Sequence, residues 1–255
     1  MNEERFTGKA YIYKKFRSSY PKELIDYLYS QVGFIENSTV ADIGSGTGIF
    51  SRLLLEKGSL VYGVEPNEDM RMTAEKDLFE FKNFEKYISI NAPAENTGLD
   101  DKSVDFITAA QAFHWFDRQL FKLECRRILK DGGKVVLVWN SRDENSKIIR
   151  VNDDIIDRYC PDTKGHRQRG ADDPKEYSDF FADGFCEYKT FRNDVLFDRE
   201  SFIGRNLSSS YSPKNETDPD SYHEFVKELS ELFDEYNING ILSFPQITKS
   251  YVGGV

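Results

Sequence analysis

Between Thr39 and Ser141 short β-branched runs alternate with amphipathic helical stretches, and this alternation constrains the fold more than any other feature of the chain. The runs Thr39 to Ile43 (TVADI), Leu60 to Val64 (LVYGV), Tyr87 to Ala92 (YISINA), Val104 to Ala110 (VDFITAA) and Lys134 to Trp139 (KVVLVW) read as strands. Helices are expected from Phe50 to near Gly58 and from a cap at Asn67 through Met70, Ala74 and Leu78. A third, capped by Asp117, runs through Leu120, Phe121, Glu124, Cys125, Ile128 and Leu129 and is stopped by Gly132 and Gly133. Strand, crossover helix and strand join with one handedness, so the order predicts an α/β domain: a doubly wound parallel sheet with helices on both faces.

The first strand ends in Ile43-Gly44-Ser45-Gly46-Thr47-Gly48, and a helix begins at once. Backbone that turns sharply beneath a ligand has no room for Cβ atoms, and a helix N-terminus offers unpaired N–H groups, so a cofactor is expected over this turn. The dinucleotide fingerprint is G-x-G-x-x-G, whereas here the spacing is G-x-G-x-G and Ile49 occupies the place that must be small. No Gly-Lys-Ser/Thr follows, which excludes a P-loop. A ligand without a pyrophosphate fits better. Glu65, at the end of the second strand, can accept hydrogen bonds from both hydroxyls of a ribose lying across the strand ends.

These motifs resemble a class I S-adenosylmethionine-dependent methyltransferase of the small-molecule type. The resemblance implies a Rossmann-like, seven-stranded, mostly parallel sheet whose last strand is antiparallel, with inserted helical segments that cap the substrate. It implies S-adenosylmethionine as cofactor and S-adenosylhomocysteine as product. By position, Asp42, Gly44, Ser45, Gly46 and Gly48 would surround the methionine portion, Glu65 would hold the ribose, and Pro66, Asn67 and Met70 would line the adenosine pocket. Ala92-Pro93-Ala94-Glu95 is similar to the family's adenine turn, where Ala94 offers its backbone N–H and either Glu95 or a backbone carbonyl meets the exocyclic amine. Ala110-Gln111-Ala112-Phe113-His114-Trp115-Phe116-Asp117 resembles a subgroup that includes trans-aconitate-methyltransferase-like proteins. That analogy sets Gln111 and Ala112 beside the methionine end and gives His114 and Trp115 to catalysis, facing the transferred methyl, with Phe116 read as core. Tyr13-Lys14-Lys15-Phe16-Arg17-Ser18-Ser19-Tyr20-Pro21 is similar to the subgroup's lead-in, in which Tyr13 and Arg17 would pair with the cofactor's carboxylate.

Three segments follow from this reading: an N-terminal lid and helix over residues 1–38, a cofactor-binding core over 39–141, and substrate-cap insertions with closing strands of the same domain over 142–255. The last is polar and holds most of the chain's acidic surplus. It is expected to form helices near Ile148 to Tyr159, Ser201 to Leu207 and Tyr222 to Tyr236. Glu187 to Phe197 reads as extended, and Ile241 to Val252 as a strand pair or one strand containing Pro245. Lys164-Gly165-His166-Arg167-Gln168-Arg169 reads as a solvated basic loop or as a grip for an anionic substrate.

A net charge of −10 argues against nucleic acid or an anionic membrane as partner. The longest apolar run, Val135 to Trp139, is far short of the ~20 residues that cross a bilayer. With no apolar leader after Met1, a cytoplasmic protein is expected, as monomer or homodimer, with a small-molecule acceptor as partner. Cys125, Cys160 and Cys186 stand far apart, so neither a disulfide framework nor a metal site is expected. Two other functions compete with methyl transfer: a non-catalytic module that holds the adenosyl ligand as a regulator, and a nicotinamide dehydrogenase, against which Ile49 speaks.

Overall fold

Val135, Val136, Leu137 and Val138 are all fully buried, as in a central strand of a sheet covered on both faces. In the computed structural model, which describes residues 19–81, 83–160, 177–208 and 212–255, they belong to β5 (Leu129–Arg142). The other strands of this sheet are β1 (Thr39–Ile43), β2 (Leu60–Val64), β3 (Tyr87–Ile90), β4 (Val104–Ala110), β6 (Glu187–Arg192) and β9 (Gln246–Gly253). Their order is β3-β2-β1-β4-β5-β9-β6. β1 pairs in parallel with β2, from Thr39 opposite Leu60 to Ile43 opposite Val64, and with β4 at Val40 opposite Phe106. β2–β3 and β4–β5 are also parallel, and the last strand runs antiparallel, so the Rossmann-like α/β architecture expected from the sequence is present.

Alternate side chains of the strands feed two cores. Val135, Leu137 and Trp139 join Ala41, Ile43, Ile107 and Ala109 on one face, and Val136 and Val138 join Val40, Val61 and Phe106 on the other. Phe121, Cys125 and Ile128 of α4 (Arg118–Ile128) close the first core. Leu24 and Ile25 of α1 (Lys22–Tyr27), with Phe50, Leu54 and Leu55 of α2 (Ile49–Glu56), close the second. α3 (Glu68–Phe79) begins as expected, with the Asn67 side chain accepting from the Met70 N–H, and Asp117 caps α4 through Gln119 and Leu120.

Two boundaries differ from the sequence reading. α4 ends at Ile128 and not at the glycine pair, because Lys102 and Ser103 donate their N–H groups to the carbonyls of Arg127 and Ile128 and Leu129 already pairs with Val104. Gly132 and Gly133 lie within β5, where the register with β4 shifts between Val104 and Phe106. β3 ends at Ile90 and does not reach Ala92, since Pro93 has no N–H for a ladder and starts a turn closed by Asn96.

The chain folds as two compact units. Met1–Asn140, Asp172–Phe191 and Thr248–Val255 belong to one, Ser141–Ala171 and Arg192–Ile247 to the other. The second unit contains α5 (Lys147–Tyr159), β7 (Val195–Phe197), α6 (Arg199–Leu207), α7 (Pro219–Tyr236) and β8 (Leu242–Phe244). Asp198 and Asp218 cap α6 and α7, three and four residues ahead of where apolar periodicity starts them. β7 and β8 form an antiparallel pair, and their Phe197, Leu242 and Phe244 share a core with Ile149, Phe202, Phe225 and Leu229. The expected Glu187 to Phe197 segment is thus two strands, and Pro245 separates β8 from β9. Among the described residues no helix is long and apolar enough to cross a membrane.

Leu137→Ala removes a fully buried side chain from the middle of β5. The expected loss of unfolding free energy is about 2–5 kcal/mol, read by urea denaturation.

Candidate functional site

The turn after β1 is pinned to the end of β2: Gly44 and Ser45 donate N–H bonds of 2.8 and 3.2 Å to the Val64 carbonyl. Gly44, Gly46 and Gly48 have φ of +67°, +55° and +78°, the left-handed region in which a side chain strains the backbone. Each glycine also has a separate role in space. A Cβ on Gly44 would lie 2.5 Å from the Ala112 Cβ, so this glycine admits the segment after β4. One on Gly48 would lie 3.1 Å from the Ala74 Cβ and 3.2 Å from Leu78 Cδ1, so that glycine admits α3. A Cβ on Gly46 would meet nothing within 4 Å, which leaves open space above the turn. α2 starts at Ile49 without a side-chain cap, so its first N–H groups are offered at the same place.

Asp42 is buried below this turn. Its two oxygens accept from Ser51 Oγ at 2.6 Å and Thr108 Oγ1 at 2.8 Å, tying β1 to α2 and β4. Burial pushes the carboxyl up to about 6, against the two hydroxyl donors that favour its ionised form, with Glu65 adding to the rise. Thr47 Oγ1, also buried, has no hydrogen-bond partner among the described residues.

Glu65 reaches back to the turn from the end of β2. Its Oε2 accepts from the Gly46 N–H at 3.0 Å and its Oε1 from the Asn67 N–H at 2.9 Å. Asn67 is buried by its capping role, Met70 is buried on the first turn of α3, and Pro66 is half-buried. The Arg71 guanidinium donates to the carbonyls of Glu65 and Pro66 at 3.0 and 3.1 Å, fixing the backbone on which Glu65 stands.

Ala94 is buried, and the Glu95 carboxylate accepts the Asp117 N–H at 2.7 Å, joining the segment after β3 to the start of α4. Gln111 holds a left-handed backbone, φ +59°, unusual for a non-glycine residue. Its N–H bonds to the Val138 carbonyl and its Nε2 to the Asn140 carbonyl at 3.0 Å. Phe113 to Trp115 form one helical turn in which the three rings part company. Phe113 is fully buried, 4.7 Å from Phe180 and 6.2 Å from Trp139, whereas His114 is exposed and Trp115 half-buried, their rings 4.7 Å apart. Phe116 packs on the core beside Phe121.

The structure therefore brings Asp42, Gly44, Ser45, Gly46, Gly48, Glu65, Gln111 and Ala112 together around the carboxyl ends of β1, β2 and β4. Tyr13, Arg17 and the basic stretch from Lys164 to Arg169 lie outside the described residues. Sequence reasoning missed Ser51, Thr108, Arg71 and Asn140. The first two show only as small hydroxyls inside apolar stretches. Asn140, besides its bond to Gln111, donates to the Ser19 carbonyl at 3.3 Å and accepts from Thr248 Oγ1 at 2.5 Å, a convergence of distant segments with no local signature. A cleft of about 360 Å³ opens at the opposite, amino ends of the strands beside Asn37, Asp105 and Lys130. Asp105 is there already satisfied by the Thr39 N–H and Lys130, and the carboxyl ends are where open α/β sheets bind ligands. Among the described residues no group of three His, Cys, Asp or Glu side chains could hold a metal ion.

Gly46→Ala should cost about 1–2 kcal/mol through φ alone, and Gly44→Ala a further ~1–3 kcal/mol through overlap with Ala112, both measured by chemical denaturation. Asp42 binds its proton more tightly folded than unfolded, so its contribution to stability is present at low pH and lost as pH rises from about 4 through about 6. Over that range the stability of the natural protein relative to Asp42→Asn should fall, by ~1–3 kcal/mol.

Residues 41–137 match the family model described as a methyltransferase domain. The chain is 36% identical over 146 residues to an uncharacterized methyltransferase of Mycobacterium tuberculosis, a match covering 57% of this chain and 56% of that one. It is 30% identical over 154 residues to an uncharacterized methyltransferase-like protein of Schizosaccharomyces pombe, covering 59% and 57%. The chain thus spans a little over half the length of the curated relatives it matches. Among solved structures, a type II methyltransferase candidate from Anaeromyxobacter dehalogenans superposes with a TM-score of 0.68 at 22% identity, over 94% of this chain and 98% of that one, a likeness of fold. The sheet order and the glycine turn agree with that match: residues 41–137 resemble a methyltransferase domain, on the Rossmann-like fold of class I methyltransferases.

Proposed function

We propose that the chain is an S-adenosylmethionine-dependent methyltransferase acting on a small molecule. The observation that carries this reading is the Glu65 carboxylate set against the Gly46 N–H across a turn of three left-handed glycines. A carboxylate has about four acceptor positions, so Glu65 can keep its two backbone bonds and still receive both ribose hydroxyls. The residues fit such a ligand in two further respects: the space above Gly46 is open, and the neighbouring Thr47 hydroxyl is buried without a partner among the described residues.

In this reading Asp42, Gly44, Ser45, Gly46 and Gly48 surround the methionine portion, with Gln111 and Ala112 on its other side. Pro66, Asn67 and Met70 line the adenosine pocket, and Ala94 and Glu95 lie along the adenine. Glu95 meets the exocyclic amine only with oxygen capacity left over from the Asp117 N–H. Tyr13 and Arg17 hold the cofactor's carboxylate. When bound, the cofactor supplies a methyl group on a positively charged sulfur. The protein's work is to hold the acceptor in line and keep water out. His114, exposed beside Trp115, takes the proton from a hydroxyl or amine acceptor, whereas a carboxylate acceptor needs no base.

The test is calorimetric titration with S-adenosylmethionine, S-adenosylhomocysteine and NAD. Saturable binding of both adenosyl ligands is expected, with none for NAD. Glu65→Ala should weaken the adenosyl ligands at least ~10-fold, as loss of hydrogen bonds to a charged acceptor does. Absence of adenosyl binding to folded protein would remove the proposal.

A further inference from the structure

Gly63 sits inside β2 on extended backbone, where no turn calls for a glycine. A Cβ on it would lie 2.2 Å from the Tyr87 hydroxyl oxygen and 2.6 Å from Tyr87 Cζ, so the missing side chain makes room for that phenol. Tyr87 opens β3 opposite Val61, and Gly63 stands opposite Asp42. The ring therefore reaches two residues along the sheet, toward the carboxyl ends of the strands, and brings its hydroxyl to the level of the carboxylate beneath the glycine turn. Ser45 is fastened at the same place, by its N–H to the carbonyl of Val64, the residue after Gly63.

The phenol and the serine share an unusual state. Tyr87 is 8% exposed and Ser45 9%, and neither hydroxyl oxygen has a hydrogen-bond partner among the described residues. Buried hydroxyls left unpaired are few in folded proteins, because each forfeits its bonds to water. Tyr29, a second phenol packed on the same core, shows the ordinary outcome: it meets Ser59 Oγ at 2.5 Å. Burial pushes the Tyr87 phenol far up, Asp42 adds to the rise together with Glu75 and Glu65, and the Ser45 hydroxyl opposes it. Tyr87 therefore keeps its proton at neutral pH and stands beneath the turn as a donor.

We infer that Tyr87 is a positioning residue of the glycine turn: its O–H donates to Ser45 Oγ, and the pair fixes the height at which the Gly46 N–H meets the Glu65 carboxylate. Two unspent hydroxyls drawn out of water at one place have each other as partners, and Gly63 is the glycine that lets them meet. The brace belongs to the turn itself and does not require methyl transfer. In the methyltransferase proposed above, and resting on that reading, Tyr87 sets the affinity for the adenosyl ligand without touching it.

Tyr87→Phe keeps the ring in its slot and removes the hydroxyl. In full-length protein without ligand, protection of the Ser45 and Gly46 amides against hydrogen exchange, read by NMR, should fall about fivefold, the weight of one net hydrogen bond. Protection at Val136 and Val138 should stay as it was. Ser45→Ala should have the same effect, and the double variant should go no further than either. Tyr29→Phe, which loses a bonded phenol elsewhere in the core, should leave the turn amides as in the natural protein. So should Ser89→Ala, which removes another unpaired hydroxyl, opposite Gly63. The melting temperature of Tyr87→Phe should move by no more than ~4 °C. Calorimetric affinity for S-adenosylhomocysteine should fall about fivefold in Tyr87→Phe, Ser45→Ala and the double variant alike, and not in Tyr29→Phe or Ser89→Ala. Unchanged turn protection in Tyr87→Phe would overturn the inference, as would additive losses in the double variant or an equal loss from Ser89→Ala. So would a large fall in melting temperature with turn protection and affinity unmoved, the behaviour of a merely structural ring. If the natural protein bound no S-adenosylhomocysteine, the methyltransferase reading would fall, and the ligand-free exchange would still decide this inference.

Discussion

The site depends on three residues at which the backbone turns through the left-handed region between a strand and a helix. Gly44, Gly46 and Gly48 reverse the chain within five residues of Ile43, and the neighbours then close in on two of them. Ala112 presses on Gly44 from the segment after β4, and Ala74 and Leu78 press on Gly48 from α3. The space left over Gly46 exists because the other two glycines let those segments approach so closely. A side chain at either would push apart the walls of the site as well as straining the turn.

The turn is held from below by a buried carboxylate. Asp42 joins three elements through Ser51 and Thr108, and burying a carboxyl costs free energy that only such fixed donors offset. The same pattern recurs around the rim: Arg71 fixes the backbone of Glu65, Glu95 holds the start of α4, and Asn140 ties Gln111 to Ser19 and Thr248. Apolar anchoring does similar work for the aromatic turn. Phe113, sunk among Trp139, Tyr177 and Phe180, fixes the helical turn from which His114 emerges.

The second unit is organised by a different balance. Its core is aliphatic and aromatic, and Arg142, Arg158, Arg192 and Arg199 are each paired with an acid. Arg205 lies beside the Phe197 and Phe244 rings of this core, 5.2 and 5.0 Å from their centres.

The sheet, its helices and the glycine turn were readable in the sequence, because each rests on local rules: strand period, capping residues, and glycines where φ must be positive. Asn67, Asp117 and the G-x-G-x-G turn signal their roles within a few residues of themselves. Boundaries were read less well. Gly132 and Gly133 resemble a helix stop, but the helix had already ended at Ile128, where Lys102 and Ser103 arrive from another segment to take its last carbonyls. Ser51, Thr108, Arg71 and Asn140 were invisible as site residues for the same reason, since each acts on a partner far away in sequence or on backbone atoms that have no sequence identity. The amino-acid order alone determined where strands, helices and the glycine turn must form. Tertiary structure decided which polar groups are satisfied and which charges pair, because burial and pairing depend on segments that meet only once the chain has folded.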